Sequence, residues 1–350
     1  MPTFRLPGLV DVHVHLRDPG QTDKEDLFTG TSAALAGGFT TVFDMPNNAE
    51  PITTIERLKR KIDIAKEKVV SDTGFYYGTL GDNLESFPEV AEYAIGLKVY
   101  LNNTTGGYKL DIARLRDIYK AWPSNKPIML HTEEDTIATA MASLDGLTRH
   151  VHICHLPSRA VLEEVIKMKR AGYPVTCGVT PHHLFLNEDS VKTLGVRGMM
   201  KPPLKPQADV DYLWGHLDDI DLFESDHAPH TQADKNAGAF GVPGLETTLP
   251  LLLQAEREGK ITREQIIDKL LTTPSKLFNI PGDEDTYVEL EDTEFEITDD
   301  HLLTKCGWTP YVGMKGYGKV IKTVIRGEVV YENGAVIAAP GSGKIMGGKS

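Results

Sequence analysis

Five stretches of the chain each bring a strand-like apolar run to a side chain able to bind a cation. His13 and His15 lie in LVDVHVHLR, Lys98 in IGLKVYL, His131 in PIMLHTEE, His155 in HVHICHL and Asp226 in LFESDHAPH. Four imidazoles and a carboxylate are donors that divalent cations such as zinc accept. A cation held this way polarises carbonyls and activates water. Lysine joins such a set only as an anion, and three readings of Lys98 stand side by side: an amine forming a Schiff base with substrate, a salt-bridged structural lysine, or a carbamate made with carbon dioxide whose two oxygens bridge two cations. The surrounding histidines favour the carbamate. Metal-assisted hydrolysis is the leading chemistry.

The first of these stretches is the most specific. Side chains alternate across a strand, so Asp11, His13, His15 and Arg17 are expected on one face, pointing into a barrel, and Val10, Val12, Val14 and Leu16 on the other, against helices. Two inward imidazoles need partners; hydrogen-bonded core histidines are the bland alternative, and a metal is favoured over it. His152, an even step from Cys154, is expected to face away from His155. Cys154 reads as packing or a weak hydrogen bond behind the ligands. Asp226 can ligate and exchange a proton, or simply cap a turn.

The elements that must position these residues alternate. Strand-like runs cover residues 9–16, 39–45, 69–77, 95–101, 127–131, 151–155, 174–179 and 221–226. Helical patterns lie at 24–36, 54–66, 86–94, 111–122, 136–144, 158–171 and 210–217, with further helices at 243–257 and 263–278. Eight strand–helix units predict an α/β fold, a (β/α)8 barrel of the TIM type. The texture changes after Pro281, where residues 286–297 and 320–337 alternate like antiparallel strands around a turn at Glu332-Asn333-Gly334. The expected division is a barrel over 1–283, a small β appendage over 284–338 and a flexible tail over 339–350. Little sequence precedes the first barrel strand, so little of it is expected to join the appendage. A P-loop match, Gly343 to Ser350, lacks a following helix and is read as chance.

Composition narrows the function. The formal net charge of -13 argues against a nucleic-acid or anionic-membrane partner. Three cysteines without a CxxC pair fit a reducing compartment. No signal peptide and no apolar run of the ~18 residues a span needs is found, and a cytoplasmic protein is expected.

Taken together, His-x-His with Arg17, Met45-Pro46-Asn47, Gly96-Leu97-Lys98, His152-Ile153-Cys154-His155, Pro181-His182-His183, Ser225 to His230 and Pro243 to Thr247 resemble the dihydroorotases of the amidohydrolase superfamily. The likeness runs from Leu9 to about Ile337, and the later segments read most like the dihydroorotase domains of animal multifunctional proteins. The resemblance implies reversible closure of N-carbamoyl-L-aspartate to L-dihydroorotate in pyrimidine biosynthesis. It implies two zinc ions, one on His13, His15 and Asp226 and the other on His131 and His155, bridged by carbamylated Lys98 and a hydroxide, with Asp226 as general acid and base. Arg17, Asn47 and His230 would bind the substrate carboxylate or ring, and Thr104 and Thr105 would lie on a loop closing over it. A homodimer is the expected assembly. Two positions depart from the pattern. Gly178 stands where many relatives carry glutamate, so no third metal is expected. Lys201 stands where asparagine or arginine is usual, which keeps a cation for a carboxylate but not the planar fork of arginine. An allantoinase, a hydantoinase or a catalytically dead scaffold are the alternatives.

Overall fold

The structure, a computed structural model, describes residues 2–104, 107–123 and 125–347. Its first strand, β1 (Thr3–Pro7), precedes the barrel. Eight parallel strands follow among the described residues: β2 (Leu9–Val14), β3 (Phe39–Asp44), β4 (Asp72–Gly78), β5 (Gly96–Tyr100), β6 (Ile128–His131), β7 (Val151–Ile153), β8 (Val175–Val179) and β9 (Leu222–Phe223). Each is hydrogen-bonded to the next in chain order. The ring closes through a bridge between Val14 and His227, with the His15 amide donating to the His227 carbonyl at 2.8 Å. The expected barrel is therefore present.

Local chemistry sets the helix ends. The first helix, Leu27–Ala36, starts three residues later than predicted because Asp26 caps it, accepting from the amides of Phe28 and Thr29. It stops at Gly37, where a Cβ would run into the Leu245 carbonyl. The run 263–278 is not one helix. It divides into Arg263–Ile267, a π-helical turn over Asp268–Thr272, and Thr273–Phe278. Pro274 has no amide to donate back into that turn.

The first barrel strand departs from simple alternation. Its register with β3 shifts between Asp11 and Val14, a bulge of the kind that re-aims side chains beside functional sites. Asp11 supports it by accepting from the amides of His13 and Ser225. In consequence Val10 and Val12 pack with Phe43, Tyr76, Met129, Cys154 and Leu222 in one cluster, whereas Val14 and Leu16 join the larger helix-facing core. The expectation of a single valine face is thereby corrected. The first cluster is floored by Leu277, Phe278 and Ile280, the Phe278 ring standing edge-on to Phe43 at 4.8 Å.

The appendage is an antiparallel sheet in the order β1, β10 (Tyr287–Glu296), β11 (Lys315–Ile325), β12 (Glu328–Glu332), β13 (Ala335–Val336). The turn expected over Glu332 to Gly334 is present, with Asn333 and Gly334 as its two central residues, both with positive φ, and Glu332 paired with Ala335. Two expectations fail. Thr3–Pro7 pairs with Tyr287–Glu291, so the N-terminal residues do join the appendage. The tail is not free over 339–347: β14 (Ile345–Met346) pairs in parallel with Thr73–Gly74, and the amides of Gly341 and Gly343 donate to the Val69 carbonyl. The remainder of the P-loop match lies outside the described residues. Among the described residues no helix is long and apolar enough to cross a membrane.

Candidate metal centre and active site

The side chains singled out in the sequence converge where the barrel strands end. Asp226 Oδ1 lies 2.9 Å from His15 Nε2 and 3.3 Å from His13 Nε2. Each imidazole is held from its other nitrogen: His13 Nδ1 is 3.1 Å from Glu224 Oε2, and His15 Nδ1 is 2.6 Å from Asn47 Oδ1. Protons at both Nδ1 atoms satisfy these oxygens and leave two Nε2 lone pairs facing a carboxylate oxygen. Such a set of acceptors fits a cation at its centre. One ligand atom from each of His13, His15 and Asp226 falls within 4.8 Å of the others, and His13, Cys154 and Glu224 form another such group.

His131 and His155 make a second pair. His131 Nδ1 is 3.0 Å from His155 Nε2, while His131 Nε2 and His155 Nδ1 are buried without a hydrogen-bond partner. A metal held by the two facing nitrogens would leave the ring protons on the outward ones, and His131 Nε2 then points toward the Glu133 carboxylate, 3.6 Å away. The His155 and His13 rings lie 5.1 Å apart, so the two sets are contiguous. Lys98 lies among them, fully buried, donating to Cys154 Sγ at 3.1 Å and standing 4.9 Å from the Tyr100 ring centre.

Backbone geometry explains how neighbouring residues converge. Cys154 contacts Lys98, yet His155, one residue on, also reaches the centre. His155 has φ 39°, and Arg17 and Asp226 have φ 63° and 45°. Non-glycine residues seldom occupy this left-handed region, and such strain gathers at functional sites.

A cavity opens onto the centre, lined by both imidazole sets and by Asp226, Arg17, Asn47, Thr104 and Lys201. Thr105 lies outside the described residues. His230 stands behind this wall. Its Nδ1 accepts from Lys24 at 3.4 Å and its Nε2 lies 2.9 Å from the Phe240 carbonyl. A neutral ring protonated at Nε2 satisfies both contacts, so Arg17 Nη2, 3.1 Å away, gains no acceptor there and remains available to the cavity. Arg17 Nε donates to the Pro229 carbonyl at 3.1 Å. The Pro229 carbonyl thus orients Arg17.

The electrostatics keep the imidazoles neutral. Burial, then the Lys98 charge, pushes His13 down to about 4. Burial and Arg17 hold His15 well below its ordinary value, and burial and His131 do the same for His155. Neutral imidazole is the form that binds metal. Burial raises the Asp226 carboxyl, against the opposing effects of His13 and Lys98. Glu224 is the residue the sequence reading missed. Burial would raise it, but its interactions with His13 and His152 leave it lowered. The available signal was its even step from Asp226 along the strand, which places both on one face. His152 also borders this acid, its Nε2 3.9 Å from Glu224 Oε2.

A parallel barrel carrying neutral imidazoles and a carboxylate at its strand ends belongs to the class of barrels that can hold a metal for hydrolysis. The chain belongs to the amidohydrolase family, which matches residues 4–330. It is 42% identical to the multifunctional protein CAD of Squalus acanthias over 97% of its own length, and spans 15% of that protein. It is 37% identical to a dihydroorotase of Pyrococcus abyssi, covering 97% of this chain and 87% of the relative. In fold it is similar to an L-hydantoinase (dihydropyrimidinase) from Arthrobacter aurescens, with a TM-score of 0.91 and 24% identity over 98% of this chain and 88% of that one.

Proposed function

We propose that the chain is a dihydroorotase, catalysing reversible cyclisation of N-carbamoyl-L-aspartate to L-dihydroorotate. The observation that carries this reading is a single cavity lined both by metal-ligand donors and by Arg17, Asn47 and Lys201. Hydrolysis of a ring amide needs the first group, and a ring bearing a carboxylate needs the second. The relatives named dihydroorotase, of which the chain covers 87% and 84%, support it.

We assign two Zn2+ ions to the centre, one to His13, His15 and Asp226 and one to His131 and His155, with Lys98 as a carbamate between them. The bound metals would supply Lewis acidity, lowering the pKa of water and polarising the amide carbonyl. The chain's own residues do the rest. Arg17 and Lys201 hold the substrate carboxylate, and Asn47 fixes His15 and faces the ring. Asp226 accepts the proton of the attacking water and delivers it to the ring nitrogen as the carbon–nitrogen bond breaks. In the synthetic direction it protonates the departing oxygen and recovers the proton from nitrogen.

Hydrolysis assays on L-dihydroorotate, hydantoin and allantoin, with and without chelator, test this. Dihydroorotate should be turned over, and chelator should stop the reaction. Turnover of hydantoin or allantoin without dihydroorotate would replace the reading with another cyclic-amide hydrolase. A metal-free chain inert to all three would point to a scaffold.

A further inference from the structure

Glu224 is a buried acid to which the proposed chemistry assigns no step. Its side chain is fully enclosed, and its two oxygens reach into both imidazole sets. Oε2 lies 3.1 Å from His13 Nδ1, and Oε1 accepts the backbone amide of His155. One carboxylate therefore fixes which His13 nitrogen faces Asp226 and anchors the residue whose left-handed backbone turns it into the centre. Carboxylates behind metal-binding histidines orient the ring and settle its tautomer.

The space for this carboxylate comes from the neighbouring strand. Gly178 on β8 is in register with Leu222 on β9, and Glu224, two residues beyond Leu222, shares its face. A Cβ at Gly178 would lie 2.6 Å from Glu224 Oε1, 2.8 Å from its Cδ and 2.8 Å from Leu222 Cδ1. Gly178 is not among the residues with positive φ. Glycine is therefore needed here for room and not for backbone conformation. The space beside Gly178 is filled by Glu224, the residue that follows β9.

We propose that Gly178 and Glu224 are a reciprocal pair, the glycine clearing the pocket through which Glu224 acts as the positioning residue for His13 and His155. This rests on the metal-centre reading above. Both oxygens of Glu224 meet N–H donors, so it is assigned to orienting ligands and not to binding a further metal.

The pair is tested with Glu224→Gln, Glu224→Gly, Gly178→Glu and the double exchange Gly178→Glu/Glu224→Gly. The measurements are zinc per chain, zinc affinity by chelator competition, kcat and KM, thermal unfolding, and the His13 tautomer by NMR of the metal-free protein. Glu224→Gln and Glu224→Gly should weaken zinc binding roughly 10- to 100-fold, lower kcat with KM held, and mix the His13 tautomers. Gly178→Glu alone should be the least stable variant, with two carboxylates and a steric clash in one dry pocket. The double exchange should melt above Gly178→Glu and recover zinc affinity over Glu224→Gly. Wild-type zinc affinity and rate in Glu224→Gln, a double exchange no better than either single change, or a wild type holding three metals per chain would each overturn the proposal. A wild type that binds no zinc would instead remove the metal-centre reading, and the order of melting temperatures would still decide whether the two positions share one pocket.

Discussion

Four lysines are buried among the described residues, and two of them, Lys61 and Lys98, have surroundings that differ in kind. Lys61 Nζ lies 2.8 Å from Asp44 Oδ2 and donates to the Met45 carbonyl at 3.1 Å and Asn48 Oδ1 at 2.8 Å. Its charge is paired and its three protons have acceptors, as a buried ammonium requires. Lys98 is equally buried, but its hydrogen-bond acceptor is a thiol, and among the described residues no carboxylate lies within 4.0 Å of it. Imidazoles and a ring face surround it instead. Lys61 is provided for as a cation. Lys98 has the setting of a lysine that serves in another form, and a carbamate would offer the surrounding metal ligands an anion to share.

The comparison breaks most sharply on Lys98→Ala, which should abolish turnover and most zinc binding. Short carboxylic acids added to the variant should restore part of both by filling the vacated space with an anion. A variant with wild-type zinc and rate would reduce Lys98 to a packing residue. Asp226→Asn separates the bridge from the proton carrier. It should lower the rate in both directions on the order of 10²–10⁴-fold while His13 and His15 retain some zinc. Burial holds the Asp226 carboxyl above its ordinary value. Hydrolysis needs it ionised and synthesis needs it protonated, so hydrolysis should rise with pH and synthesis fall. The apparent value belongs to the coupled centre. Equilibrium runs the same way, because closure turns two carboxylates into one and consumes a proton. Identical pH profiles in the two directions would remove Asp226 from proton transfer.

Lys61→Met tests the other side of the comparison. It leaves Asp44 buried with, among the described residues, only the Leu16 amide as donor, a loss of about 3–5 kcal/mol for a broken buried pair. Denaturant unfolding should show that loss, and zinc per folded chain should stay at the wild-type level. Zinc loss without loss of stability would make Lys61 part of the centre.

The difference between these lysines was only half legible in the sequence. Strand patterning placed Lys98 with His13, His15, His131, His155 and Asp226 because barrel strands run parallel and present their ends together, a rule that needs no tertiary detail. Lys61 sat in a helical pattern and gave no sign of burial, since its acceptors come from β3 and the loop after it. The same limit hid Glu224, whose meaning depends on a glycine more than forty residues away. It hid the bulge in β2, which depends on Asp11 capturing the amides of His13 and Ser225, and the seating of β1 and β14, whose partners lie at opposite ends of the chain. Periodicity reports which face of an element is apolar. It does not report which distant backbone supplies the last hydrogen bond.

A third lysine extends the comparison to the cavity wall and carries the smallest expected effect. Lys201 lines the cavity, with Nζ 5.4 Å from the Phe240 ring centre. Among the described residues no carboxylate lies within 4.0 Å of it, and under the proposed function its charge would meet the substrate carboxylate. An ammonium offers that carboxylate a point charge, whereas a guanidinium offers two parallel hydrogen bonds. If Lys201 only binds, Lys201→Arg should lower KM by the worth of one added hydrogen bond, about 1 kcal/mol or roughly fivefold, with kcat unchanged. The added bond is present in substrate and transition state alike, and uniform binding moves KM alone. Steady-state kinetics on dihydroorotate would show it. A fall in kcat at constant KM would mean that the flexible ammonium follows charge developing during the reaction, and Lys201 would then belong with Lys98 among the groups that act and not with those that hold.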